Sequence, residues 1–228
     1  METQELREML TARSSYYHML KNLYFRAPSQ EEIDAMAQTD FTELRAGKEE
    51  SLLAEGFDDI FRYLRKRNTG TRQELSADYT GAFLGTKVRD GKQAMPYESL
   101  FRDKSGLLMR EPRNEVYQFY KQANVMLMGD LNIPEDHLAF EFEFMAILCD
   151  RALGCLAAED LDGCLEQVSL QSEFFDEHIA SWFGDFCERA MGFVETRFYR
   201  GVLKITQAFL EGERDALDEM CSLLKRAA

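Results

Sequence analysis

The sequence predicts an all-α protein, a single globular bundle of helices, on three observations. Only four prolines interrupt 228 residues. Apolar residues recur every three or four positions along most of the chain, the spacing that gathers them on one face of a helix. No stretch alternates apolar and polar residues between hairpin-type turns, as half-buried strands do. Hydrophobic residues make up 45% and charged residues 30%, the balance of a chain that builds a core. Its length suffices to do so without disulfide or metal staples.

The elements follow in order. Leu6, Met9, Leu10, Arg13, Tyr17 and Leu20 trace the inner face of a first helix. Leu52, Leu53, Phe57, Ile60, Phe61 and Leu64 trace a second, ending at RKRNTG, where basic residues suit a helix C-terminus and Gly70 breaks it. Leu75, Tyr79, Ala82 and Phe83 form a third, closed by Gly85, and Val116, Phe119, Tyr120, Ala123 and Leu127 a fourth. A helix opening at Pro134 buries Leu138, Phe142, Met145, Cys149 and Ala152. Phe175, Ile179, Trp182, Phe183 and Phe186 come next, then Phe198, Val202, Ile205 and Phe209, then Leu217, Cys221 and Leu224. Residues 1–228 read as one domain with one long irregular connection, 85–106. Such a connection inside a compact helical domain is more often functional than not. Helix exchange across it would convert a monomer into a domain-swapped dimer.

Charge and cysteine usage narrow the function. The net charge is −14, and residues 130–200 carry 16 acids against 4 bases. Such a surface repels a phosphate backbone, so nucleic acid is a poor partner, and it steers cationic peptides inward. The plain alternative is an acidic surface that only aids solubility. Five cysteines without a C-x-x-C pair argue against a disulfide framework or zinc site and fit a reducing cytoplasm. The opening METQEL is charged from its second position, so no secretory segment is expected, and no apolar run is long enough for membrane insertion.

The stretch NIPEDHLAFEFEFMAILCD, residues 132–150, carries the main candidate site. Pro134 suits a first helical turn, and Glu135 and Asp136 put negative charge at the positive end of the helix dipole. That account leaves His137 unexplained, because an imidazole gains nothing from the dipole there. His137 and Glu141 are one turn apart and placed to hydrogen-bond. Asp136, Glu143 and Asp150 recur at seven-residue intervals, an acidic stripe beside the Leu138–Phe142–Met145 core stripe, suited to a peptide both basic and apolar. On this placement Asp136 and His137 lie clear of the core, and truncating either leaves the fold intact.

Two other segments add aromatic groups. In LSADYTGAFLG, Tyr79 and Phe83 are most simply core residues. In AMPYESLF, Pro96 fixes a rigid turn and Tyr97 offers a ring with a polar end, a useful contact for a peptide. His178, one turn before the single Trp182, reads as a satisfied core histidine. Enzymatic signatures are missing: there is no H-E-x-x-H, G-x-S-x-G, G-x-x-x-x-G-K-[ST] or G-x-G-x-x-G. The enzymatic alternative is a metal-dependent hydrolase built on His137, Glu141 and His178. The leading expectation is a non-enzyme with no catalytic set, metal or cofactor of its own.

In order and spacing these stretches resemble the TorD/DmsD family of redox-enzyme maturation chaperones, within the NarJ-like group. The carriers are Tyr79 to Gly85, then Pro96-Tyr97-Glu98-Ser99-Leu100-Phe101, then Ile133 to Met145 around Pro134-Glu135-Asp136-His137-Leu138-Ala139, then Phe174 to Phe186. The third is the specific one. Ala82, Met95 and Ile133 depart from the family pattern and bear on which client is recognised. The resemblance implies a TorD-like helical bundle in the cytoplasm that binds the twin-arginine leader and apo-form of a molybdenum oxidoreductase's catalytic subunit. It further implies help with cofactor insertion and delay of export. The implied peptide-binding residues are Tyr79, Phe83, Pro96, Tyr97, Ser99, Asp136, His137 and Glu141. A family variant would grip a mature region of a nitrate-reductase-like subunit instead.

Overall fold

The computed structural model describes residues 2–45, 51–126 and 133–227. They form α1 (Glu2–Phe25), α2 (Gln30–Gln38), α3 (Thr42–Arg45), α4 (Leu52–Leu64), α5 (Thr71–Phe83), α6 (Ser99–Arg102), α7 (Glu111–Gln122), α8 (Leu138–Ala157) and α9 (Leu161–Phe174). A π-helix, Phe175–Ile179, continues α9, and α10 (Phe183–Met191) and α11 (Arg197–Ala227) follow. The protein is all-α: among the described residues extended pairing is limited to two isolated bridges, Arg89 with Lys92 and Tyr97 with His137.

Several boundaries differ from the sequence expectation. The helix expected from Pro134 begins four residues later, at Leu138, because the His137 N–H turns back to the Pro134 carbonyl at 3.2 Å. The last two predicted segments are one helix, α11, with no break between them. The segment expected as one helix around Trp182 is a π-helix followed by α10. Four helices escaped prediction: the short α3 and α6, and the longer α2 and α9. For α2 the signal was present: Ser29 and Glu32 form a reciprocal capping box. For α9 it was Asp160, whose side chain accepts from the Gly163 N–H at 2.8 Å. Leu127, expected in the fourth core stripe, lies outside the described residues.

The chain divides into two compact units. The first comprises Met1–Asn22, Tyr97–Phe183 and Gly212–Ala228. Its core takes Leu6, Leu10 and Tyr17 from α1, Val116 and Tyr120 from α7, and Leu138, Phe142, Met145, Cys149 and Ala152 from α8, all buried. Arg13, which its spacing put on the inner face of α1, is buried against Glu213 of α11. Its Nε donates to both carboxylate oxygens, at 3.0 and 3.1 Å, and the Tyr17 hydroxyl donates to the same carboxylate at 2.5 Å. Removing one partner of such a pair leaves a buried charge uncompensated, at a cost of about 3–5 kcal/mol.

The second unit comprises Leu23–Pro96 and Gly184–Glu211. Here α4 and the first half of α11 approach backbone to backbone: a Cβ on Gly201 would stand 2.6 Å from the Gly56 carbonyl oxygen, and one on Gly56 2.8 Å from that of Gly201. Beside the contact, Lys204 joins Asp59 at 2.8 Å and Glu55 at 3.2 Å. The buried Asp78 carboxylate of α5 accepts the Glu195 and Thr196 N–H groups at 2.9 and 2.7 Å, leading the chain into α11. The close crossing sets packing against propensity. Gly201→Ala gains helix propensity of about 0.8–1 kcal/mol but drives a methyl into a backbone carbonyl that cannot rotate away. Urea unfolding should show a net loss of about 1–3 kcal/mol. Gly212→Ala, on the same helix with no atom within 4 Å of the added methyl, should instead stabilise. Equal effects at the two sites would remove the close-packing argument.

Candidate functional site

The candidate residues are shared between the units. Tyr79 and Phe83 belong to the second and are core residues there. The Tyr79 hydroxyl donates to the Tyr24 carbonyl at 2.8 Å, and Phe83 packs on Tyr24, Phe186 and Tyr199. Pro96, also buried, ends that unit's first segment. Tyr97, Ser99, Asp136, His137 and Glu141 belong to the first unit, which brings them together with residues that sequence reasoning had passed over.

The assembly begins with a short turn. Residues 134–137 fold back just ahead of α8, and the 97–99 segment lies along them. The Glu98 N–H donates to the Asp136 carbonyl at 3.0 Å, the Ser99 N–H to Asp136 Oδ2 at 2.9 Å, and the Ser99 hydroxyl to the same oxygen. Asp136 is fully buried, with no hydrogen-bond partner for Oδ1. Burial raises its pKa, and the Ser99 hydrogen bonds oppose the rise. The expected stripe of Asp136, Glu143 and Asp150 is therefore not one surface. Glu143 and Asp150 reach α1, through Lys21 at 2.9 Å and Ser14 at 2.7 Å, while Asp136 is turned inward to clasp a loop.

His137 has a structural task. It is the N-cap of α8, and its Nδ1 accepts the Ala139 N–H at 3.1 Å. An imidazole can cap a helix only as an acceptor, so the ring is neutral with its proton on Nε2. Its edge meets the Tyr97 ring, centroids 4.8 Å apart. Burial pushes its pKa down to about 3. The expected side-chain hydrogen bond to Glu141 is not formed, because the ring is committed to the cap. The expectation that Asp136 and His137 lie clear of the core also fails, since 0% and 4% of their surfaces are exposed.

Behind the turn lies a second buried carboxylate centre. Glu98 is fully buried, with both oxygens 3.1 Å from His178 Nδ1 and a further contact to Arg102. Burial raises the Glu98 pKa, and His178 and Arg102 work against the rise. The π-helix presents His178 between Phe119 and Phe174, ring centroids 5.0 and 5.1 Å away. It is the core histidine the sequence suggested, its partner now identified. Glu141 is buried with neither oxygen in a hydrogen bond. Glu98 acts on it electrostatically. Its pKa stands well above the ordinary carboxylate value, first through burial and then through Glu98 and Asp136. Among the described residues no three His, Cys, Asp or Glu side chains form a group that could hold a metal ion. His137, Glu141 and His178 are thus not assembled as the ligand set of the hydrolase alternative.

Near this centre the surface is apolar. A groove of about 490 Å³ is lined by Tyr117, Tyr120, Lys121, Asn124, Met126 and Glu135. Met126 is 85% exposed and Tyr117 46%. Glu135 is held by Arg113 Nη2 at 2.8 Å, and its carbonyl accepts the Tyr120 hydroxyl at 3.2 Å. Sequence reasoning missed Glu98, Arg102 and this groove. The i,i+4 pair of Glu98 and Arg102 was a usable signal. Exposed apolar residues on α7 left none.

The buried carboxyls set a pH dependence. Glu141 holds its proton in the folded state above pH 4.5, where the unfolded chain releases it. Its contribution therefore falls as pH rises from the unfolded value through the elevated folded one. His137 has the opposite sign of shift: its contribution is complete above pH 6.5 and declines as pH falls toward 3. Glu141→Gln should stabilise the protein relative to wild type increasingly from pH 5 to pH 8, read as the urea midpoint. A difference that does not vary with pH would show that Glu141 does not titrate abnormally.

Comparison with known proteins places this chain in a family. The family model described as nitrate reductase delta subunit matches residues 48–188. The Chaperone protein TorD of Vibrio cholerae serotype O1 is 30% identical over 220 residues, covering 95% of this chain and 97% of its own. That of Vibrio vulnificus is 29% identical over 219 residues, covering 94% and 98%. Both comparisons span the 97–101 segment, the 133–145 turn and helix, and the π-helix. A family match over more than half the chain, with kinship along nearly all of it, makes this protein a member of the nitrate reductase delta subunit family, among its TorD-like chaperones.

Proposed function

We propose that this protein is a cytoplasmic maturation chaperone for a molybdenum-containing oxidoreductase, and that it binds the twin-arginine leader of the catalytic subunit. The kinship with TorD chaperones supports the chaperone role. One observation in the structure supports the peptide site: the buried Glu98 and Asp136 carboxyls belong to the same unit as the half-buried Tyr97 and the apolar Tyr117–Met126 groove. Carboxylates beside apolar surface suit a segment in which basic residues precede a hydrophobic stretch. Holding that segment would keep the client from export while its cofactor is inserted.

Binding should weaken as salt rises, because the attraction between leader arginines and the acidic unit is screened. Titration of a synthetic twin-arginine leader at increasing ionic strength measures this, and an affinity indifferent to salt would remove the electrostatic part of the proposal. Tyr97→Ala should weaken leader binding by about 1–3 kcal/mol with little loss of stability, as expected for a half-exposed aromatic contact. His137→Ala should lower both binding and the thermal midpoint, because it also removes a helix cap worth about 0.5–2 kcal/mol. If Tyr97→Ala binds like wild type, the leader does not use this face.

The family description favours a second version of the same function, in which the grip is on a mature region of a nitrate-reductase-like subunit. Pull-down with a client lacking its leader separates the two: retained binding selects the mature region.

A further inference from the structure

In a chain with 41 acidic against 27 basic residues, residues 60–73 carry five bases and no acid. Arg62, Arg65, Lys66 and Arg67 stand at or just beyond the end of α4, and Arg72 stands at the start of α5. All five are exposed, and all belong to the second unit. A helix C-terminus attracts cations, which accounts for Arg62 and Arg65. It does not account for Arg72, which lies in the first turn of its helix, where positive charge opposes the dipole.

Internal pairing accounts for only part of the cluster. Arg62 reaches Asp58 at 2.5 Å and Arg67 reaches Asp34 at 3.5 Å. Arg65, Lys66 and Arg72 have no carboxylate within ion-pair distance among the described residues. Arg65 lies over the Phe61 ring, its guanidinium carbon 5.5 Å from the centroid. The ring attracts the cation through its face and leaves the N–H fork for another group. Two surface cavities adjoin the stretch. One, of about 550 Å³, is lined by Phe61, Arg62, Arg65, Lys66 and Arg197, the last held by Asp59 at 3.3 Å. The other, of about 690 Å³, is lined by Gln30, Thr69, Arg72, Gln73, Ser76 and Ala77. Neither lining contains a carboxylate, and both are rich in N–H and O–H donors.

We propose that the turn between α4 and α5 is a docking surface for an acidic, extended segment of a partner protein, with its carboxylates on Arg65, Lys66 and Arg72 and its side chains seated in the two cavities. Charge selects this class of partner. A membrane or a nucleic acid brings a continuous sheet of negative charge against a protein of net charge −14 and is repelled by the rest of it. A short acidic segment reaches the turn without that cost. A compact phosphate gathers its donors around one point, whereas these cations are divided between the end of one helix and the start of the next. Carboxylates spaced along a chain match that division, each able to take two parallel N–H groups from an arginine. A twin-arginine leader is cationic and is not this visitor, so the surface stands apart from the leader reading.

The test uses the full chain and a fluorescein-labelled octaglutamate peptide, followed by anisotropy at low ionic strength. Wild type should bind it, and should not bind the octaglutamine counterpart. The triple variant Arg65→Ser/Lys66→Ser/Arg72→Ser should keep the wild-type thermal midpoint and lose at least tenfold in affinity. A control triple, Lys104→Ser/Arg110→Ser/Lys225→Ser, removes the same charge from other exposed positions and should stay within twofold of wild type. No binding by wild type, or equal losses in the two triples, overturns the docking surface. Inorganic pyrophosphate should displace the peptide only at far higher concentration than unlabelled octaglutamate does. Displacement at lower concentration makes the turn a phosphate site and overturns the acidic-segment assignment.

Discussion

The first unit is organised around the need of one carboxylate for donors. Asp136 is removed from water entirely, and its two nearest donors, the Ser99 N–H and hydroxyl, come from a segment distant in sequence. Burying a carboxylate without hydrogen bonds is costly enough that the chain must either supply them or keep the group protonated. It supplies them on one oxygen, and in doing so fixes where the 97–102 segment lies. Glu98 then points inward toward His178, Tyr97 lies on the His137 ring, and α6 starts where Arg102 can turn back to Glu98. Loss of the Asp136 clasp would release all three at once.

The same centre is expensive to maintain. Three carboxyls, each with a raised pKa, share a small volume with one histidine and one partly exposed arginine. A core of this size could have been filled with apolar side chains at lower cost. Retained polar groups that oppose stability are expected at sites that bind or switch, and the π-helix beside them is an irregularity often found at such sites. Stability of this unit is supplied elsewhere within it, by the apolar face of α8.

Much of the fold was legible in the sequence because amphipathic spacing survives any local irregularity. The inner faces of α1, α4, α5 and α8 were read from their apolar residues, and even Arg13 was put on the buried side. The site was legible only as a neighbourhood. Asp136 in a first helical turn and Asp136 in the turn before a helix have the same sequence signature, acid after proline, yet one faces solvent and the other the core. His137 looked anomalous because capping by histidine is uncommon, and its acceptor nitrogen becomes visible only when the Ala139 N–H is seen to point at it. Glu98 and its histidine lie 80 positions apart, a pairing that no local pattern encodes.

The Arg13–Glu213 pair sets a schedule for synthesis. Arg13 is made well before its buried partner, which follows 200 positions later. The first unit is likewise assembled from three stretches, the last of them Gly212–Ala228. Until that stretch emerges, α1 carries a cation on its apolar face with nothing to neutralise it, which disfavours premature docking. Folding of this unit is therefore gated by synthesis of α11, and a product that stopped before α11 would keep an exposed, charged helix face for proteolytic quality control to act on.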